Sequence, residues 1–504
     1  MKTTKRITAG TDSLGFNSVE HGALDETEAR GAFEALLRFV RTDAQGLQLH
    51  EVERGVFARL LQLGLALLRV FLAQKGTGRV AGPRAVTPGG ADLPYHSTKQ
   101  WIYLSIFGKL GIDRAYYWEE GALAGWLPLD AEMNLPDHRY SYLLQEWGTL
   151  IGTGRAYEQV TKQLETLLRV KFWNQGVQVV MNETAADVQS FYEQKPTPSP
   201  DSEATFLVGT ADGKGVPMRR KEPQPRKLRL GSGEKPNKKK EAVVTAVYTV
   251  DPFVRTADDV VREIADDSSV VEREAPGPKR PKPKNKQTRA TLNGKDGAFA
   301  EMRRQFDARD PKGAKQWIAL TDGAEALQER ALKYLGVGRR LVLILDIMHV
   351  LDYLWDVAYG FHDKGSAEAA RWTMDKLRLL AEGRVGEVID DLRRSLSEGS
   401  CRRGKRKALR KAINYMDRNR AYMAYDAYLA MGYPIGSGVA EGACRHLVKD
   451  RMECTGMRWN KEGAEAVLQL RAVEINDDWR GFWDYRVAQQ HARLYGPQPA
   501  KRAA

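Results

Sequence analysis

The sequence predicts an α/β protein, a mixed sheet flanked by helices, with a mainly helical region before it and a helical block inserted before its last element. Three observations carry this prediction. Between residues 204 and 346, short runs rich in Val, Thr, Ile and Leu have the length of strands and end at Asp, Gly or Pro. Runs such as "GAFAEMRRQFDAR" and "GAEALQERALKYLG", whose apolar residues recur at helical spacing, alternate with the later strands. The stretches on either side, 141–193 and 353–430, read almost entirely as helix. A chain of 504 residues also has room for two or more separate cores.

In chain order, residues 1–95 are expected to form a helical N-terminal region, with patterns around "ETEARGAFEALLRFV" and "EVERGVFARLLQLGLALLRVFLAQK". The most apolar stretch, "VFARLLQLGLALLRVFLA" (56–73), is interrupted by Arg59, Gln62 and Arg69, which predicts an amphipathic core helix and not a membrane span. No apolar run follows the charged start "MKTTKRITAG", so no export leader is expected. A Gly/Pro-rich linker, "GTGRVAGPRAVTPGGADLP", leads into a small β element within 96–140, where aromatic and β-branched residues flank a Gly in "KQWIYLSIFGKLGIDRAYYW". Residues 141–197 read as short helices, either a DNA-binding helix-turn-helix or a plain helical bundle.

The central block, 198–352, offers three strand-like runs, "ATFLVGTAD", "GKGVPMRRK" and "EAVVTAVYTVD". The Pro/Lys-rich segment "EAPGPKRPKPKNKQTR" has almost no apolar residue and is expected to be a basic, exposed and mobile insertion over about 274–292. Helix "GAFAEMRRQFDAR", strand "KQWIALTD", helix "GAEALQERALKYLG" and strand "RRLVLILDI" follow. Three strands, then helix, strand, helix and strand is the order of a ribonuclease-H-like core. Helix fills 353–430, a final core helix lies in 431–480, and 481–504 is expected to be a C-terminal tail.

Charge narrows the function. Lys and Arg number 78 against 65 Asp and Glu, a net +13, and the pI near 9.4 favours a polyanionic partner, nucleic acid or an anionic surface. Three cysteines without a CxxC pair support neither a zinc site nor a disulfide framework and fit a reducing cytoplasm.

Several acids close strand-like runs. Asp212 ends "TFLVGTA" and Asp322 follows "WIAL", each just before a Gly, where a carboxylate faces the cleft at the strand ends and the Gly lets a phosphate approach. Two such acids, joined by a third from a helix packed across the strand ends, suit two divalent ions about 4 Å apart for in-line phosphodiester chemistry. Glu441, near the start of a helix in "GYPIGSGVAEGACRHLVKDRM", is the candidate third acid, and Ser437 the candidate N-cap. The bland alternatives stay open: Asp-Gly is an ordinary turn, and Glu441, Arg445 and Lys449 have the spacing of a surface ion-pair row.

The blocks "FLVGTADGKGVPM", "LTDGAEAL", "LDIMHV" and "PIGSGVAEGACRHLVKDRMECTGMRW" resemble those of bacterial insertion-sequence DDE transposases of the ISKra group, relatives of the Mutator-like transposases. The resemblance runs from about "LPLDAEMNLP" to residue 475. It implies a ribonuclease-H-like fold with a helical insertion before the last acid, and cutting and joining of double-stranded DNA at element ends. The implied ligands of two Mg²⁺ (or Mn²⁺) ions are Asp212, Asp322 and Glu441. Asp346 and His349 match a D-x-x-H pattern and would orient DNA or a water, or form a structural hydrogen bond; Asp346 is also an alternative to Asp322 as second ligand. Asp251, before Pro252, reads as structural. Arg445, His446, Lys449, Arg451 and Arg458 would hold DNA phosphate, and Trp459 would stack on a base or anchor the last helix. The expected partners are element ends, target DNA and further copies of the chain, in the bacterial cytoplasm beside the nucleoid, with no membrane partner.

Overall fold

A computed structural model describes residues 26–219, 239–266, 280–338, 340–436, 438–454 and 456–496; the side chains of Asp266, Arg403, Ala440 and Glu441 lie outside that description. Contacts divide the chain into two compact units, Met1–Glu193 with Asp477–Ala504, and Gln194–Asn476.

In the first unit, α1 (Thr27–Arg38) packs on α2 (Leu49–Lys75). The expected core helix is not one. Only Leu61 and Ala66 of α2 are buried, while Phe57, Leu60, Leu67 and Phe71 are exposed. The helix is apolar on more than one side, so a single partner helix cannot cover it, and by length and composition it is sufficient to cross a membrane. The Gly/Pro-rich linker is not irregular throughout. It contributes β1 (Arg84–Val86), which pairs antiparallel with β2 (Asp92–Ser105), and the small β element expected after it is a hairpin of β2 with β3 (Gly108–Tyr117). The helices α3 (Pro128–Glu132), α4 (Tyr142–Gly154), α5 (Tyr157–Leu168), α6 (Asn174–Ala185) and α7 (Val188–Gln194) follow.

The second unit is built on five strands, β4 (Phe206–Pro217), β5 (Lys239–Val250), β6 (Lys284–Thr291), β7 (Gln316–Thr321) and β8 (Leu341–Leu345), in the order β6-β5-β4-β7-β8. The first three run antiparallel to their neighbours in sequence, whereas β4, β7 and β8 are parallel. A mixed sheet of this order is compatible with the ribonuclease-H-like expectation. Helix α8 (Ala257–Asp266) follows β5, and α9 (Lys295–Arg309) and α10 (Glu325–Leu335) flank β7 in sequence. Side chains alternate between the two sheet faces. Leu207, Val247, Ala319 and Leu343 meet Phe299, Met302, Phe306 and Leu327 of α9 and α10. Phe206, Val208, Ile318, Leu320 and Ile344 meet the inserted helices α11 (Ile347–Ala358), α12 (Ala367–Ala381), α13 (Val385–Glu398), α14 (Arg406–Asn419) and α15 (Tyr425–Ala430).

Two strand assignments differ from expectation. "ATFLVGTAD" and "GKGVPMRRK" are not two strands, because β4 continues through Gly213 and Gly215 in unbroken antiparallel register with β5. The third strand is β6, and it lies inside the stretch expected to be a mobile insertion. Its Lys-rich start is tolerated at a sheet edge, where charge also discourages further pairing. Farther along, Thr288, Arg289 and Ala290 are buried. Polar groups of α18 (Lys461–Ile475) and the residue after it tie the strand down, once α16 (Gly438–Ala443) and α17 (Asp450–Met452) have passed. Thr291 Oγ1 donates to Glu465 Oε1 at 2.7 Å, and the N–H of Leu292 donates to Glu465 Oε2 at 2.7 Å. The Thr288 hydroxyl donates to Asn476 at 2.9 Å. Residues 267–279, which include the first part of the expected insertion, lie outside the described residues.

After the second unit the chain returns to the first as α19 (Trp479–Tyr495), so most of the expected tail is helix. Arg486 and Arg493 of α19 both pair with the buried Asp187 at 2.5 Å. Most of "YGPQPAKRAA" lies outside the described residues.

Beneath β4, a buried pair closes one side of the core. Both Glu203 oxygens accept from Arg309 at 2.7 Å, and Thr249 Oγ1 donates to one of them at 2.5 Å. Burial pushes the Glu203 carboxyl up, but the Arg309 and Thr249 hydrogen bonds outweigh it and hold the group below the usual glutamate range. Glu203→Ala, which strands the Arg309 charge, is expected to cost roughly 3–5 kcal/mol in chemical denaturation. Because the folded-state value is depressed, the contribution of Glu203 is fully present above the ordinary glutamate range and is lost as pH falls through the folded value. The gap between wild type and variant therefore narrows in acid.

Candidate active site

The sheet register brings the acids together. Pairing of β4 with β7 runs to Ala211 opposite Thr321, and pairing of β7 with β8 runs to Thr321 opposite Leu345. Asp212, Asp322 and Asp346 each follow one residue later, so they sit side by side on three adjacent parallel strands, about 4.8 Å apart from strand to strand, Asp322 and Asp346 just past the ends of β7 and β8 and Asp212 within β4, which runs on beside β5. Alternation along β4 puts Asp212 on the face of Phe206 and Val208, the face covered by the inserted helices.

The three aspartates are not equivalent. Asp212 is half-buried; its Oδ1 accepts the N–H of Gly213 at 2.6 Å and its Oδ2 accepts the Cys444 thiol at 3.1 Å. Asp322 Oδ1 accepts the N–H of Ala324 at 2.9 Å. Burial pushes the Asp322 carboxyl above its usual range, the charge of neighbouring Asp212 pushes it the same way, and the Ala324 N–H and His349 oppose them. Asp346 is buried, and its Oδ1 caps α11 by accepting the N–H of Met348 at 2.9 Å. That hydrogen bond links the end of β8 to α11. His349, one turn into α11 and half-buried, adds positive character beside Asp322.

The Asp322–Gly323 turn is held from the inserted helices. Tyr415 Oη donates to the carbonyl of Asp322 at 2.8 Å, and Arg418 donates to that of Gly323 at 2.7 Å. Gly323 has φ +79°, and a Cβ there would lie 2.8 Å from both Leu345 and the Tyr415 ring. Only glycine makes this turn without strain.

The helix bearing Glu441 is short and then widens. α16 packs across β4 and β5. From Cys444 to Lys449 the chain is π-helical, and α17 resumes the ordinary winding. Such widened turns cluster at functional sites. Arg471 of α18 caps the widened turn, donating to the carbonyls of Leu447 at 3.0 Å and of His446. Ser437 and the Glu441 side chain lie outside the described residues. Among the described residues, no group of three or more His, Cys, Asp or Glu side chains has the arrangement of a metal site.

The bases after Glu441 divide into two sets. Arg445, His446, Lys449 and Arg458 are exposed; His446 pairs with Asp450 at 3.2 Å. Arg451 is not available to phosphate, because it is 1% exposed, lies 4.7 Å over the Trp459 ring and donates to Met457 Sδ at 2.8 Å. Trp459 is likewise buried rather than presented to a base. Its indole N–H donates to the carbonyl of Met452 at 3.1 Å, and its backbone pairs with the end of β4 through Pro217 and Arg219. Both residues belong to the packing under the final helix, where an Arg–Trp stack fills volume that exposed DNA contacts do not need. Asp251 is structural as expected, pairing with Lys284 at 3.0 Å and accepting from Thr205.

Cys444, Tyr415 and Arg418 were not singled out from sequence. Cys444 lies three residues after Glu441, a faint signal; nothing local marks the other two, which reach the site from the insertion.

Asp322→Asn tests the electrostatics of the pair. The raised carboxyl binds a proton more tightly in the folded chain than in the unfolded one, so its presence lowers stability as pH rises through and above the usual aspartate range. The variant is expected to melt higher than wild type at neutral pH, with the gain disappearing at a pH below that range. Gly323→Ala is expected to melt lower by roughly 1–3 kcal/mol, the scale of a forced left-handed residue.

No protein-family model and no curated protein matches the chain. Among solved structures, the Drosophila P element transposase strand transfer complex is similar over 73% of this chain and 86% of that chain, at 7% identity and a TM-score of 0.23. At that score the similarity carries no residue role onto this chain.

Proposed function

We propose that the second unit is the ribonuclease-H-like core of an insertion-sequence DDE transposase, which cleaves DNA at element ends and joins them to a target. The observation that carries this reading is the pair Asp212 and Asp322 on adjacent parallel strands, each within reach of the other's charge, with Asp212 bonded through Cys444 to the chain segment that continues from the helix bearing Glu441. The motif blocks that resemble the ISKra group include all three acids.

Hard oxygen donors, one of them raised by burial and further by the charge of its neighbour, suit a divalent cation, Mg²⁺ or Mn²⁺. Asp212, Asp322 and Glu441 would hold two such ions. Bound there, the ions would activate a water or a 3′-hydroxyl and neutralise the leaving oxygen. The chain's own groups fix the geometry. The Gly213 N–H and the Cys444 thiol orient Asp212, while the Ala324 N–H, Tyr415 and Arg418 orient Asp322 and its turn. Asp346 is the weaker candidate for second ligand, since its carboxylate is buried and committed to capping α11. Exposed Arg445, His446, Lys449 and Arg458 would take DNA phosphate. The helical part of the first unit would bind terminal repeats, and further copies of the chain would synapse two ends in the bacterial cytoplasm.

Joining of labelled end DNA to a target in Mg²⁺ or Mn²⁺ tests the reading. Asp212→Asn, Asp322→Asn and Glu441→Gln are each expected to reduce joining by on the order of 10³-fold or more, since members of one catalytic set fail together. Joining at the wild-type rate by Glu441→Gln would sink the triad. Cleavage without joining would instead point to a structure-specific nuclease, and binding without cleavage to a recruited, inactive copy. Lys449→Ala and Arg445→Ala are each expected to weaken DNA binding and to reduce the slope of log affinity against log salt by about 1.

A further inference from the structure

The second unit contains a pocket of about 300 Å³ between the end of β5 and the loop leading to α16. Tyr248, Phe253 and Tyr433 supply aromatic surface, and Arg255, Arg280 and Lys282 supply positive charge. On the loop side, Gly432, Gly436 and Gly438 present backbone alone. An aromatic slot with an open backbone wall suits a flat ring, and a cationic rim suits an anion attached to it.

The pocket is built and not incidental. Tyr248 and Arg255 are buried, 3% and 8% exposed. Arg255 Nε is buried without a hydrogen-bond partner among the described residues, although its Nη1 pairs with Glu263 at 2.9 Å. Buried polar atoms left unpaired are costly and mark places where a ligand completes the hydrogen bonding. The one acid in the lining, Asp251, is engaged by Lys284 at 3.0 Å, so the rim stays net positive. The loop is fixed in place. The Phe253 N–H donates to the Gly432 carbonyl at 3.0 Å, and Gly432, at φ +72°, approaches so closely that a Cβ would lie 2.7 Å from Phe253 N.

The same loop ties the pocket to the carboxylates. A Cβ on Gly436 would stand 3.6 Å from Asp346 Oδ1, and the N–H of Ile347 donates to the carbonyl of Ile435 at 2.9 Å. We infer that this pocket receives one unstacked nucleotide of the DNA strand being processed, with its base in the aromatic slot and its phosphate toward Arg280 and Lys282. The inference rests on the DNA-processing reading above. The loop before α16 thereby gains a second role, since an occupied pocket would hold the strand in register with the carboxylates. Displacing one base from its stack costs a few kcal/mol, least at a frayed or unpaired end.

Photocrosslinking to the full-length protein tests it. The probe is a forked DNA duplex with 5-bromodeoxyuridine in the unpaired arm; a second arm of the experiment uses free 5-bromodeoxyuridine monophosphate. The expected result is a crosslink from the forked DNA to a peptide containing Tyr248, Phe253 or Tyr433. Its yield should fall at least fivefold in Arg280→Glu/Lys282→Glu, whose altered residues are exposed, and measurably in Tyr248→Phe, which removes only the hydroxyl. Crosslinks confined to other peptides, or yields unchanged in both variants, overturn the inference. So does a crosslink formed by the free nucleotide and not by the strand, which would assign the pocket to a small molecule. Bulk binding of the same fork and metal-dependent joining are measured in parallel. If both are intact while the pocket stays uncrosslinked, the pocket inference alone fails; if neither is detected, the DNA-processing reading fails with it.

Discussion

Parallel pairing on both sides of β7 is the constraint on which the site depends. Once Ala211, Thr321 and Leu345 are locked across three strands, the next residue of each chain segment has one place to go, and in all three it is an aspartate. Backbone hydrogen bonding thus does what side-chain attraction cannot: it holds like charges next to each other. The result is visible in Asp322, whose carboxyl is raised by burial and by Asp212. The proposed cation would relieve this penalty, and stability given up there is supplied by the cores on the two faces of the sheet.

The inserted helices are part of this arrangement and not an appendage. They cover the sheet face on which Asp212 lies, and α14 reaches the strand end to hold the Asp322–Gly323 turn through Tyr415 and Arg418. A buried amide pair, Gln328 donating to Asn419 at 2.8 Å, ties the same helix to α10. The final helix approaches from the other direction, and its π-helical turn lets Cys444 meet Asp212 while Arg471 satisfies the carbonyls left over.

Much of this was legible in the sequence where the signal is local. The strand that stops at Asp322–Gly323, the helix–strand alternation after residue 295, and the helical block before Glu441 all depend on periodicity and turn chemistry within a few residues. What failed was non-local. "KNKQTRAT" has no apolar pattern of a strand, because its stability comes from pairing with β5 and from Glu465 and Asn476 far along the chain. The glycines of β4 resemble a turn but sit in a register that β5 enforces. Arg451 and Trp459 read as DNA contacts because a basic and an aromatic residue near a candidate metal ligand attract that reading; their stacking on each other in the core has no sequence signature. The apolar run of α2 gave helix correctly but not burial, since composition does not say whether a partner exists to cover it.

The central claim is that the strand-end aspartates form a divalent-ion site with Glu441. Anomalous diffraction from crystals grown in Mn²⁺ measures it directly. The account predicts manganese peaks within about 2–2.5 Å of carboxylate oxygens of Asp212 and Asp322, with Glu441 as a further ligand. Manganese absent from this row of carboxylates, with both aspartates ordered, would contradict it.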